Sequence, residues 1–278
     1  MSKANAIKTF RDLLSFLTII PLAKTDEFVF TSARNMWLFP LVGGLIGLCG
    51  AAYFVAAGFV LGFLLGLVNS VVAVPVGLLV GVLASAMTLA FLLVFTGFQH
   101  FDGLVDLGNA IGIKRVEDRR EIAHRWVVTG KGAFLAIFVE FAAVAGLFLL
   151  NGYVAVLALV LAEVLGKLAM VTIVWRGKPS HQGLGARFIG DAKRKLNFAA
   201  YVSAFVLGFV LLGVAGLLVV CIAVLFGLFM EGVGNRVFGG VSGDMIGATN
   251  EGARALTLVL IAVVSVLYSV LFSGALLL

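Results

Sequence analysis

LFPLVGGLIGLCGAAYFVAAGFVLGFLLGLVNSVVAVPVGLLVGVLASAMTLAFLLVFTGF, Leu38 to Phe98, contains no charged residue. At about 1.5 Å per helical residue it is far too long for one crossing of a hydrocarbon core of about 30 Å, so it must fold back on itself. Asn69 and Pro75 mark the turn and split it into two spans. Alternation at period two is absent, so the spans are helices and not barrel strands. Further apolar runs follow at Ala133–Leu150, Val154–Val174, Phe198–Met230 and Leu256–Phe272. With 62% hydrophobic and 12% charged residues over 278 positions, the chain lacks the charge, about a quarter of residues, that covers a soluble globule. The expected fold is an all-α integral membrane protein: one polytopic membrane domain over 1–278. Residues 1–36 form an amphipathic N-terminal helix and connection, and 37–278 a bundle of about seven transmembrane helices.

Working outward, residues 5–22 read as an amphipathic helix ended by Pro21, with Ile7, Phe10, Leu14, Leu17 and Thr18 turned one way along the membrane interface. Trp37 is placed to anchor the first span at the interface. The N-terminus carries Lys3, Lys8, Arg11 and Asp12 and lacks a small-residue cleavage site, so a removed signal peptide is not expected. Cys49 and Cys221 lie inside apolar runs and read as small hydrophobes, with no disulfide and no zinc site. Glycine spacings such as Gly43/Gly47, Gly62/Gly66 and Gly77/Gly81 suit close helix packing. Glu140, Glu163 and Lys167 fall inside apolar spans, where ionisable groups face a partner or a polar cavity, and Glu163 and Lys167 are spaced to pair.

Charge sets the topology. Lys and Arg occur before Trp37, in 114–131, in 176–195 and at Arg236 and Arg254, but not in the turns at Asn69 and Asn151. The basic stretches are therefore expected in the cytoplasm, and the net charge of +6 marks topology, not nucleic-acid binding. The segment 114–131 reads as a surface helix snorkelling on acidic lipid or as a phosphate-binding surface. If 198–230 crossed once, Asp244 would end opposite Asp102. Two crossings, or a hairpin near Gly213 to Gly216, put both acids on the cytoplasmic side, and this is the expected arrangement, with Met1 inside and Leu278 outside.

The uncharged stretch ends in GFQHFDGLVDLGNAIG, Gly97 to Gly112. Asp102 and Asp106 are four apart and project from one helix face. Two anions that close repel unless a cation sits between them, and hard oxygen ligands at a membrane boundary suit Mg²⁺ better than a soft metal; the alternative is a solvated helix end. GGVSGDMIGATNE, Gly239 to Glu251, repeats the pattern of small residues around isolated acids. In SHQGLGARFIG, Gly183 and Gly185 let backbone N–H groups approach a phosphate, or form a plain turn.

Taken together, FPLVGG at 39–44, GFQHFDGLVD at 97–106, QGLGARF at 182–188 and GGVSGDMIGATNE at 239–251 resemble the cobalamin synthase family from the N-terminal helix to the last span. His100, Asp102, Gly103 and Asp106 fall on the family's FHLDGLAD pattern, and Gly243, Asp244, Gly247, Ala248 and Glu251 on its GGxTGDxxGAxxE pattern. The chain departs from the family at HRWVVTGKG, with Arg125 where an Asp is usual. The resemblance implies that a hydroxyl of α-ribazole, or of its 5′-phosphate, attacks the cobinamide-linked phosphorus of adenosylcobinamide-GDP and releases GMP in a Mg²⁺-dependent reaction at the cytoplasmic face of the cell membrane. It further implies that Asp102, Asp106, Asp244 and Glu251 hold one or two Mg²⁺ ions, and that His100 is the base for the hydroxyl or a donor that orients it; the alternative for His100 is a polar cap on the helix end. Gly103, Gly183, Gly185, Gly243 and Asn250 would bind substrate, and Arg176, Lys178 and Arg187 would gather its negative charge. A CDP-alcohol phosphotransferase would place its acids in one DGxxAR…GxxxDxxxD run, and an ion-coupled transporter would show internal repeats with acids at mid-span. Neither pattern is present.

Overall fold

The structure, a computed structural model, describes residues 3–23, 27–123, 125, 127–191 and 194–273. Met1 and Leu278, on which the expected sidedness of the termini rests, lie outside the described residues. The elements in order are α1 (Lys3–Leu17), α2 (Phe28–Arg34), a 3₁₀ turn (Met36–Leu38), α3 (Phe39–Asn69), α4 (Val76–Phe95), α5 (Gln99–Ala110), α6 (Val116–Ala123), α7 (Gly130–Phe148), α8 (Gly152–Arg176), α9 (Leu184–Asp191), α10 (Arg194–Phe238) and α11 (Gly243–Ser273). Six of these, α3, α4, α7, α8, α10 and α11, are long and apolar enough to cross a membrane, and no strand occurs among the described residues. The chain is an all-α polytopic membrane protein.

The six helices meet the expectation of about seven spans because α10 is two arms. Leu212 (φ −135°, ψ 17°) and Gly213 (φ 57°, ψ −137°) leave helical geometry, and the chain doubles back. Gly208 and Gly216 then lie backbone to backbone, with no room for a side chain between them. At about 1.5 Å per residue each arm reaches most or all of the way across a core of about 30 Å. The positive φ at the bend is open to glycine without strain.

α8 is the axis of the bundle. Its residues from Ala158 to Val174 are all buried, and α3, α10 and α11 pack around it. Gly43 and Gly47 allow the approach of α3, since a Cβ would stand 2.5 Å from the Glu163 carbonyl oxygen and 2.6 Å from the Val160 Cα. Gly62, Gly66 and Gly77 have open space beside them, so three of the expected packing glycines are not packing surfaces. The outer half of α3 has left α8 there and exposes Phe59, Phe63 and Leu67, as a lipid-facing surface should.

The two ends of the bundle differ in chemistry. The turns at 70–75, 149–151 and 212–213 carry no Lys or Arg. The other end gathers α1, α2, α5, α6, α9 and the loop before α11. α1 is amphipathic as expected, but its packed face is only partly the expected one: Leu17 and Thr18 are buried and Leu14 half-buried, joined by Thr9, Asp12, Leu13 and Phe16, while Ile7 (68% exposed) and Phe10 point outward. The packed stripe is selected by an aromatic cluster in which Phe16 meets Phe28, Phe39 and Phe188, the last at 5.0 Å between ring centroids. Docking on α9 and α3, not the helix's own periodicity, decides which face turns inward.

Candidate active site

Two short helical starts build the site. α5 leaves α4 through Gly97 (φ 67°) and Phe98 (φ 57°), and Phe98 is the one non-glycine residue with positive φ among the described residues. That pair of left-handed residues reverses the chain within two positions, at a cost of order 1 kcal/mol for the non-glycine residue. α5 then lies against the start of α11. Gly103 abuts the Asp244 carbonyl, and a Cβ on Gly247 would lie 3.1 Å from the His100 Cα. The small residues in both acid motifs thus let two backbones touch, and the acids arrive together as a result.

Asp102 and Asp106 on α5 and Asp244 on α11 share one electrostatic environment. Partial burial, and then the Asp244 charge, raise the pKa of Asp102 above the usual carboxylate value. Burial, Asp244 and Asp102 push Asp106 up to about 7, against a lowering hydrogen bond from Asn109. Two carboxylates whose ionisation is opposed by burial and by neighbouring negative charge, set beside a third, are a site that favours positive charge. Asp244 stands in the first turn of α11, where the helix N-terminus favours an anion, and the Ser242 hydroxyl donates to its Oδ2 at 3.3 Å while accepting from the Met245 N–H.

His100 differs from these acids. The residue is 5% exposed, and its Nε2 has no hydrogen-bond partner. Burial first, and then the charges of Lys167 and Arg254, hold its pKa well below the usual imidazole value. A neutral ring with an unused nitrogen is what a proton acceptor requires.

The loop after α8 is stitched to the second acid motif. The Val241 N–H donates to the Lys178 carbonyl at 2.7 Å, and the Ser180 N–H to the Val241 carbonyl at 3.2 Å, forming a parallel bridge between Pro179 and Val241. Gly185 is packed on Ser242, where a Cβ would meet the carbonyl carbon at 2.8 Å, so its role is contact between these segments. Gly183 is exposed at the wall of a cavity of about 510 Å³ formed by α1, α5, α8, α9, α11 and this loop. His100, Asp244 and Gly243 line the same cavity, together with Phe16, Met170, His181 and Phe188. Arg176, Lys178 and Arg187 are exposed at this end of the bundle and do not line the cavity.

Glu251 and Asn250 are placed elsewhere. Both are buried in α11, Glu251 ion-paired to Arg254 and Asn250 accepting from Lys167 Nζ at 2.8 Å. The network extends to Glu163, 3.1 Å from Lys167, and to Glu140, which takes both oxygens to Arg254 at 2.9–3.0 Å. The pairing of Glu163 with Lys167 is the one its spacing predicts. Glu251 does not join the three aspartates, and Asn250 holds α11 to α8 instead of facing the cavity.

Sequence reasoning missed Phe16, Met170 and His181. His181 stands beside the glycine pair of SHQGLGARFIG, which is the one signal that pointed to it. It also missed Arg119 and Arg120, which do something other than meet lipid or phosphate. Arg119 donates to the carbonyls of Arg236 (2.8 Å) and Val237 (3.2 Å), and Arg120 to that of Phe238 (2.6 and 3.0 Å). These are the orphan carbonyls at the end of α10, so α6 caps that helix just before the GGVSGD loop. Arg120→Ala is expected to cost about 1–3 kcal/mol of stability, measured by thermal unfolding in detergent, because charge-assisted bonds to partly buried carbonyls are lost. Lys at this position should recover only part of it, since a single ammonium cannot reproduce the fork.

The family model described as Cobalamin-5-phosphate synthase matches residues 9–262. A relative from Halorubrum lacusprofundi, named adenosylcobinamide-GDP ribazoletransferase, is 32% identical and aligns over 91% of this chain and 95% of its own length. One of the same name from Thermococcus kodakarensis is 34% identical over 91% of this chain and 98% of its own, and one from Methanosarcina barkeri 27% identical over 91% of each. No solved structure matches the chain significantly.

Proposed function

Because the chain belongs to the cobalamin-5-phosphate synthase family, we propose that it joins α-ribazole or its 5′-phosphate to the cobinamide phosphate of adenosylcobinamide-GDP, giving adenosylcobalamin or its 5′-phosphate and GMP. The observation that carries this reading is the backbone contact of two distant acid motifs, which brings Asp244 of one and the buried His100 of the other to one cavity, with Asp102 and Asp106 outside its lining. In the reaction the ribazole hydroxyl oxygen bonds to the phosphorus that carries cobinamide. The bond from that phosphorus to the bridging oxygen breaks, and GMP leaves with the bridging oxygen.

His100, neutral and unpartnered at Nε2, accepts the hydroxyl proton. Among the described residues no three His, Cys, Asp or Glu side chains form a closed ligand set for a metal ion. A Mg²⁺ ion would therefore have to be held by one or two of the carboxylates, with water and substrate phosphate completing its shell. The donor chemistry fits: Asp102, Asp106 and Asp244 are hard oxygen donors whose mutual repulsion a cation would relieve. Bound there, Mg²⁺ would neutralise phosphate oxygens and stabilise the departing GMP. Arg176, Lys178 and Arg187 raise the local concentration of the anionic substrate at the rim.

The site belongs on the cytoplasmic side of the cell membrane, because the end of the bundle that carries it also carries the basic loops, while the opposite turns have no Lys or Arg. The test is purified full-length protein in lipid nanodiscs with adenosylcobinamide-GDP, α-ribazole 5′-phosphate and Mg²⁺. Equimolar GMP and adenosylcobalamin phosphate are expected, with chelation stopping both. Turnover of a CDP-alcohol with no cobalamin product would replace this reading by the lipid-enzyme alternative.

A further inference from the structure

The cavity has a second character that phosphate chemistry does not use. Phe16, Met170, Leu184, Phe188 and Ile246 give it apolar walls, and Phe16 and Phe188 are buried against each other at 5.0 Å between centroids. Phe39 closes the rear of that aromatic pair, 6.2 Å from each ring. The two rings come from α1 and α9, whereas His100 and Asp244 come from α5 and α11. A molecule filling this space meets an aromatic surface from one pair of helices and the reacting groups from the other.

Resting on the ribazoletransferase reading, we propose that this cavity is the pocket for the bicyclic base of the ribazole substrate, and that Phe16 of α1, with Leu184 at the rim, sets which base is accepted. Three arguments select that occupant. The volume of about 510 Å³ is of the size that takes one small ligand, so a nucleoside fits and a corrin macrocycle with its side chains does not. Guanine recognition calls for a carboxylate or an equivalent donor and acceptor set on its polar edge; Asp244, the one carboxylate lining the cavity among the described residues, belongs to the acid cluster, and the Gln99 and Gln182 amides and His181 that remain stand against five apolar side chains. A dimethylbenzimidazole presents two methyl groups and an aromatic face to its surroundings, which the phenylalanine pair and Met170 match. Seated there, the nucleoside places its ribose toward the wall that bears His100. The N-terminal amphipathic helix is then part of the binding site as well as a membrane-surface element.

The test compares the phosphates of two ribosides, one of 5,6-dimethylbenzimidazole and one of unsubstituted benzimidazole, with full-length protein in nanodiscs. Wild type should prefer the dimethyl substrate by roughly 10- to 200-fold in kcat/KM, the span that methyl-sized differences produce in apolar pockets. Phe16→Ala should lower that preference at least about tenfold, mainly through KM for the riboside, and leave KM for adenosylcobinamide-GDP unchanged. Leu184→Ala, at a 45% exposed rim position where folding is insulated, should move the preference in the same direction if Phe16→Ala does not fold. An unchanged preference in the folded variants, or a rise in KM confined to adenosylcobinamide-GDP, assigns the cavity to guanine or corrinoid and overturns the proposal. Absence of any cobalamin product from wild type overturns the ribazoletransferase reading and this assignment with it.

Discussion

Replacing Asp244 by asparagine is expected to lower ribazole transfer by about 10²–10³-fold, the scale on which loss of one group stabilising transition-state charge is felt. The substitution keeps size and hydrogen-bonding capacity, and Ser242 can still bond the side chain, so the start of α11 should stay intact. Asp102→Asn should behave alike, because its carboxylate sits within the field of Asp244 although it comes from a helix more than a hundred residues away. Raising Mg²⁺ should recover part of the activity in either single variant and none in the double. Unaltered kcat at low Mg²⁺ in Asp244→Asn, with the fold intact by thermal unfolding, would remove the aspartates from the reaction.

The second large effect lies in the core. Arg254→Met is expected to destabilise the protein by about 3–5 kcal/mol, read as a fall in unfolding midpoint in a fixed detergent. Arg254 is fully enclosed and pairs with Glu140, Glu163 and Glu251, and without it Lys167 alone would face two buried carboxylates, Glu163 and Glu251, and the half-buried Glu140. Adding Glu251→Gln should restore a good part of the loss, since the excess negative charge, and not the missing contact, is the dominant cost. An isolated buried pair adds little net stability over apolar packing. The cluster's contribution is register, because it ties α7, α8 and α11 together at one level and so fixes where α11 delivers Asp244. A melting curve for Arg254→Met that matches wild type would show that the network carries no net stability.

The sequence by itself determined the material and the pattern of this fold. An uncharged stretch from Leu38 to Phe98 admits no soluble reading, and spans are legible because lipid requires every backbone polar group to be satisfied within a helix. The spacing of Glu163 and Lys167 announced their pairing, since residues four apart meet on any helix. The two acid motifs stood out because charge at the end of a span demands a partner.

What a linear pattern does not contain is which surface each residue meets, and that was decided only by the tertiary structure. Glu251 looks like Asp244 in sequence, seven residues apart on one helix. About two turns of rise carry it from the bundle's end to its core, where Arg254 takes it. The inward face of α1 was decided by Phe28, Phe39 and Phe188, three residues remote in sequence. Arg119 and Arg120 read as surface charge until the end of α10 stood beneath them with its carbonyls unpaired. In each case local periodicity left the partner open, and long-range packing selected it.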